Sequence, residues 1–215
     1  MTALAKPSAL LFDLDGTLVD SKRDIQVALN SALAAVHREP LSLEVVTGMI
    51  GDGARVLVTR ALGADISPLE PALAHFHAVY AEQPCAHTTL LPGAREALAI
   101  DLPHAVVTNK PRAITLLVLA KLGVDVPVVY AGGDGPLKPA PDGVESAARQ
   151  LGVDVKAAWL VGDGPQDVRA GKAAGCVTIA VPGIAERAHV LAAGPDHVVT
   201  SLLDIAPLVA AAQRR

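Results

Sequence analysis

The chain has 215 residues, room for one large domain or for a domain that carries an insertion. It is 51% hydrophobic and 19% charged, which excludes a disordered chain and suits a globular one. The net charge of −4, with no basic block, argues against nucleic acid as the main partner.

Residues 8–12 form a short apolar run with the length of a buried strand. Asp13 and Asp15 follow at its end, and Gly16 turns the chain. Ser21 and Asp24 suggest a capping box, after which Ile25, Leu29, Leu33 and Val36 recur at helical spacing up to about Arg38. Helices are expected over 41–49, 54–62 and 68–82, with Gly63 and Pro84 as stops. No strand signal interrupts this block. From Leu91 the rhythm changes. Helices are expected over 92–100, 111–122, 141–151, 165–174, 184–193 and 201–213, and strands over 104–108, 126–130, 157–161, 177–181 and 197–199. Such alternation means an α/β fold, a parallel sheet covered on both faces. The first strand must join that sheet. The expected organisation is a core of residues 1–19 and 88–215, with 20–87 inserted as an α-helical domain. The insertion leaves and returns beside the acids, where it can act as a lid.

Aromatics are 2% of the chain, so the core must be packed mainly from Ala, Val, Leu and Ile. Trp159 is expected at a strand edge. The apolar run at the N-terminus ends at Asp13, too early for a secretory signal, and the apolar stretch 113–120 is too short to cross a bilayer. Cys85 and Cys176 form no C-x-x-C and are read as reduced thiols of a cytoplasmic protein. His75 and His77 lie two apart on an expected helix, so they do not share a face and are read as packing or surface residues.

The chemistry lies at strand ends, where open α/β sheets bind ligands. Asp13 and Asp15 would repel unless a cation such as magnesium sits between them. Alternatively one is a nucleophile and the other a general acid, or the pair is a strand end followed by an Asp-Gly turn. No EF-hand spacing follows. The second strand end offers Thr108, Asn109 and Lys110, an anion site or an ordinary helix cap. The third is followed by Lys138, able to neutralise phosphate or simply solvated. The fourth offers Asp163 and Asp167, a cation site or favourable charge at a helix N-terminus. Each feature alone has an ordinary structural explanation; the four together, in chain order, do not.

The string Phe12-Asp13-Leu14-Asp15-Gly16-Thr17-Leu18-Val19-Asp20-Ser21 resembles the first motif of the haloacid dehalogenase superfamily in its phosphatase form. Thr108-Asn109, Lys138, and Asp163 with Asp167 match its other three motifs, and Ile50-Gly51-Asp52-Gly53-Ala54-Arg55 is similar to a loop in phosphoglycolate phosphatases. The resemblance implies a Rossmann-like α/β core with an α-helical cap. It implies a Mg²⁺-dependent phosphatase acting through an aspartyl-phosphate on a small phosphorylated metabolite, with 2-phosphoglycolate as the leading substrate. By the same resemblance Asp13 is the nucleophile and Asp15 the general acid and base. Asp13, the carbonyl of Asp15, Asp163 and Asp167 serve the metal. Lys138, Thr108 and the Asn109 N–H hold the phosphoryl oxygens, and Arg55 is the candidate for the substrate carboxylate. The expected assembly is a monomer or homodimer. The alternatives are a phosphatase for a sugar phosphate or another small metabolite, a sugar phosphomutase, and a binding protein without catalysis. A hydrolytic dehalogenase would not need Asp15. Gly164 departs from the subfamily, where a small hydroxyl residue often stands, and a lost contact near the metal is expected there.

Overall fold

Strand β1 (Ala9–Phe12) is buried at every residue. Side chains alternate along a strand, and here the two sets enter different cores: Leu10 and Phe12 join one cluster, Leu11 another. The strand therefore requires cover on both faces. In the computed structural model, which describes residues 4–214, that cover is supplied by helices that follow β3 in the chain.

After β1 come β2 (Val19–Asp20), α1 (Lys22–Ala35), α2 (Leu43–Thr47), α3 (Ala54–Leu62) and α4 (Leu69–Glu82). Then follow β3 (Thr89–Leu90), α5 (Ala94–Leu98), β4 (His104–Pro111), α6 (Arg112–Lys121), β5 (Val128–Gly132) and α7 (Asp142–Gln150). The chain ends with β6 (Ala158–Gly162), α8 (Pro165–Ala174), β7 (Val177–Ala180), α9 (Arg187–Ala192), β8 (His197–Val198) and α10 (Ile205–Gln213). One six-stranded parallel sheet has the order β5-β4-β1-β6-β7-β8. Ala94, Ile114, Val118 and Ile205 of α5, α6 and α10 pack with Leu10 and Phe12. Val144, Ala147, Ala170 and Ala174 of α7 and α8 pack with Leu11. The result is three layers.

β1 sits between β4 and β6, so successive connections diverge to its two sides. That divergence opens a crevice at the carboxyl ends of β1, β4 and β6. The four helices α1–α4 lie between β2 and β3, which pair antiparallel, Val19 opposite Leu90. α1 and α4 bury Ile25, Leu29 and Leu33 against the same apolar cluster as Leu73, Phe76 and Tyr80.

Several details differ from expectation. The β2–β3 ribbon is absent from the sequence pattern because strands of two residues are too short to show a period. β4 runs on through Thr108, Asn109 and Lys110, although its pairing with β5 slips between Val107 and Pro111. Four residues of β4 there span two of β5, an irregularity that, like a bulge, re-aims side chains. Trp159 is not at a sheet edge. It lies in β6, between β1 and β7, is fully buried, and donates its indole N–H to the Ala5 carbonyl at 3.0 Å. The capping box does not form: Ser21 is the N-cap of α1 but its hydroxyl caps nothing. Asp24 instead accepts from the His87 and Thr88 N–H groups and the Thr88 hydroxyl at 2.6–3.0 Å. It thereby ties the start of α1 to the chain leaving α4. Both cysteines are free, and among the described residues no helix is long and apolar enough to cross a membrane.

Candidate active site

The crevice gathers four strand ends. Asp13 follows β1, and its Oδ1 accepts from the Leu14 N–H at 2.7 Å and meets Lys138 Nζ at 2.8 Å. Asp163 follows β6 and accepts from the Thr17 hydroxyl at 3.0 Å and the Ile184 N–H at 2.6 Å. Asp167, in the first turn of α8, accepts from the Gly164 N–H at 2.9 Å. Its Oδ1 lies 2.6 Å from Lys138 Nζ. Lys138 also donates to the Val107 carbonyl at 2.6 Å. Gly16 is obligatory for two reasons. Its φ is +85°, and a Cβ there would come within 2.3 Å of the Asp163 carboxylate.

Asp13, Asp163 and Asp167 each place an oxygen within 4.8 Å of the others, and all three are buried. Burial pushes the Asp13 carboxyl up to about 7, helped by Asp167 and Asp163 and resisted by Lys138. Burial likewise pushes Asp163 up to about 6, helped by Asp167 and resisted by the Ile184 N–H and Thr17. Burial disfavours the charge on Lys138, but Asp13 and Asp167 outweigh it and raise its pKa. Three carboxylates thus face one ammonium, a surplus of two negative charges. The Oδ1 of Asp167 is buried and has no hydrogen-bond partner among the described residues, only the ion pair with Lys138. A hard divalent cation fits this set: all the donors are oxygens, as Mg²⁺ prefers, and its charge matches the surplus.

Asp15 is turned the other way. Its carboxylate accepts from the Ser21 hydroxyl at 2.5 Å and from Lys110 Nζ at 2.9 and 3.2 Å, and it takes no part in the three-acid cluster. Lys110 is 4% exposed, donates to the Tyr80 hydroxyl at 2.6 Å, and stands 4.5 Å from the centre of the Tyr80 ring. Burial opposes its charge, but Asp15 and Tyr80 outweigh that and raise its pKa. Burial raises the Tyr80 phenol to about 12. A cavity of about 40 Å³ lies beside this group, under the helical block. Asp13, Asp15, Thr108 and Lys110 line its polar side, and Ile50, Leu57 and Phe76 its apolar side.

Thr108 and Asn109 are buried and line this cavity from within β4, not beyond its end. The Asn109 side chain is a clamp. It donates to the carbonyls of Gly51 (3.0 Å) and Lys138 (2.9 Å) and accepts from the Lys138 N–H (2.8 Å). Arg55 is not brought to the site. Its guanidinium points to solvent, where it pairs twice with Glu70 at 2.6 and 3.1 Å, while its neighbours Gly53 and Ala54 line the cavity. α3 presents Ala54, Leu57 and Val58 inward and so turns Arg55 out.

The sequence names Lys110 only as part of the second strand end and Ser21 only as a cap, and it gives Tyr80 and Gln166 no role. The inward direction of Lys110 could have been noticed, because a lysine two residues beyond Thr108 in a continuing strand shares its face. Tyr80 and Gln166 come from helices remote in sequence and give no local signal. Gln166 is buried and fills the room beside Gly164: a Cβ at Gly164 would lie 2.1 Å from its Nε2, and one at Gly51 2.9 Å. The Gln166 amide thus lies against both Gly164 and the Gly51 loop.

This site, at the switch point of a parallel sheet and under an inserted helical block, is that of a hydrolase with a carboxylate centre. The family model for haloacid dehalogenase-like hydrolases matches residues 7–175. A phosphoglycolate phosphatase of Pseudomonas syringae pv. tomato is 35% identical over 189 residues, covering 81% of this chain and 69% of its own length. Phosphoglycolate phosphatase 1 of Pseudomonas aeruginosa is 36% identical over 216 residues, covering 94% and 79%. A crystal structure described as a predicted phosphoglycolate phosphatase from Haemophilus somnus 129pt superposes with a TM-score of 0.87 at 29% identity, over 95% of this chain and 98% of that one. The chain belongs to the haloacid dehalogenase-like hydrolases.

Proposed function

We propose that the protein is a Mg²⁺-dependent phosphatase that hydrolyses 2-phosphoglycolate to glycolate and phosphate. The observation that carries this reading is the divergence of the two leading acids. Asp13 lies with Asp163, Asp167 and Lys138, while Asp15 stands apart at the cavity, held by Ser21 and Lys110. A phosphoryl transfer needs those two roles in separate places, a nucleophile beside an ammonium and a cation site, and an acid beside the leaving group.

The Asp13 carboxylate attacks phosphorus, and the bond to the leaving oxygen breaks as Asp15 delivers its proton to that oxygen. Water then attacks the aspartyl-phosphate, Asp15 takes the proton back, and phosphate departs with the Asp13 carboxylate restored. Lys138 and Thr108 hold the phosphoryl oxygens. Asp13, Asp163 and Asp167 would hold the Mg²⁺, which when bound offsets the repulsion between carboxylate and phosphate. The helical block closes the site as a cap.

The cavity beside Asp15 is small, about 40 Å³, and apolar on one side, which favours a short leaving group. The relatives' names point the same way. The test is phosphate release from a panel of monoesters with Mg²⁺ and with chelator, beside an Asp13→Asn control. Metal-dependent release that is strongest for 2-phosphoglycolate and absent from the control supports the reading. A preference for sugar phosphates overturns the substrate, and release by the control overturns the nucleophile.

A further inference from the structure

Two lysines are buried at this site, and they face different ends of it. Lys138 belongs to Asp13 and Asp167, where the phosphoryl group is placed. Lys110 belongs to Asp15 and Tyr80, on the leaving-group side. Across the cavity from Lys110 the wall is apolar, from Ile25, Ile50, Leu57 and Phe76. The one arginine suggested for substrate recognition, Arg55, lies outside and is paired with Glu70. A leaving group that carries a negative charge therefore meets one cation on its own side of the site, Lys110.

We propose that Lys110 is the residue that selects leaving groups bearing a carboxylate. This rests on the phosphatase reading above and deepens it. In the structure the Lys110 ammonium is paired with the Asp15 carboxylate and lines the cavity. An ammonium carries three N–H donors, and here it meets two partners, Asp15 and Tyr80. A carboxylate on the leaving group is the third. Geometry favours a carboxylate on the carbon next to the ester oxygen. Its oxygens lie roughly 3 Å from that oxygen by ordinary bond lengths, and Lys110 Nζ lies 2.9 Å from the Asp15 oxygen that faces it. Tyr80, from α4, holds the ammonium in place.

The test compares 2-phosphoglycolate with ethyl phosphate, which has a methyl group where the former has its carboxylate. The ratio of the two kcat/KM values is the readout, because a defect in Asp15 or in folding lowers both alike. The wild-type ratio is expected to be about 100 or more, the size of a charged contact in a desolvated site. Lys110→Met should bring it to within about 5-fold of unity, and Lys110→Arg should keep most of it. Should Lys110→Met turn over neither ester, the affinities of both are measured by calorimetry in an Asp13→Asn background with and without the substitution. Lys110→Gln is used if the Met variant does not fold. A ratio that survives loss of the charge, in rates or in affinities, overturns the proposal. The wild-type protein separates this failure from that of the substrate reading. If it prefers another carboxylate-bearing ester, such as 2-phospholactate, the substrate reading falls, and the Lys110 test proceeds with that ester and its neutral analogue. If it shows no preference for charged leaving groups, both fall.

Discussion

Removing the metal should make this fold less stable as pH rises, the reverse of the usual behaviour of a carboxylate-rich protein. The perturbation is a chelator together with a shift from about pH 5.5 to about pH 8. Asp13 and Asp163 are raised to about 7 and about 6, against 3.8 as the ordinary value. The unfolded chain releases these protons near pH 4, while the fold holds them until pH 6 to 7. Groups raised in this way stabilise fully below their unfolded pKa, and the contribution is lost as pH climbs through the folded pKa. Across that window Asp13 accounts for a loss of about 2 kcal/mol and Asp163 for about 1, so the metal-free fold should lose about 3 kcal/mol. A bound divalent cation removes the cause. At about a hundred times its dissociation constant Mg²⁺ should add about 3 kcal/mol by mass action alone, and the gain should be greater at the higher pH. Urea titrations at both pH values, with chelator and with Mg²⁺, measure all four stabilities. Metal-free stability that is flat or rises over this window would refute the reasoning, because the three carboxylates would then not be crowded in a dry site.

Other outcomes follow from single contacts. Asp15→Asn should lower turnover of alkyl phosphates about 10²- to 10⁴-fold. It should harm acetyl phosphate far less, since acetate leaves without a proton; equal losses on the two substrates count against Asp15 as the acid. Asp24→Ala strands two backbone N–H groups and a hydroxyl and should destabilise by about 3 kcal/mol in urea titration, whereas a change below about 1 would show that water replaces the carboxylate. Gly164→Ser collides with Gln166 and should destabilise alone, yet be tolerated with Gln166→Ala; a double-mutant cycle should give a coupling above about 1 kcal/mol, and additivity would refute the packing.

Much of the sheet was legible because its strands are buried on both faces and punctuated by Gly and Pro. The run before Asp13 and the run before Gly162 read as strands from composition alone, and both are. What pairs with what was less legible. Trp159 looked like an edge residue, but strand order is fixed by crossovers, and these place β6 in the interior. The acids and Lys138 were legible because each lies in the stretch that follows a strand, where chemistry in this architecture gathers. Lys110 was not, because a helix was expected to begin at Pro111 and the strand was expected to stop at Thr108. Arg55 was misplaced because its nearness to the Gly51 loop in sequence says nothing about which way α3 faces. The Ser21–Asp24 pair matched a capping pattern, yet both side chains are drawn to distant partners, Asp15 and Thr88, that no local pattern contains.

The place of β1 in the sheet also bears on how the chain is made. β1 leaves the ribosome before its partners do, and Leu10 finds its neighbours only when His104 and later Trp159 have been synthesised. Until then an entirely apolar strand waits without a partner, a segment exposed to chaperones and to aggregation. Helices α1 to α4 come next, and their contacts are local enough to form during that wait. Their return through β3, beside β2, sets the chain down next to the still unpaired β1 just before β4 is delivered to it. The helical block thus shortens, at the moment of synthesis, the distance that the centre of the sheet must close.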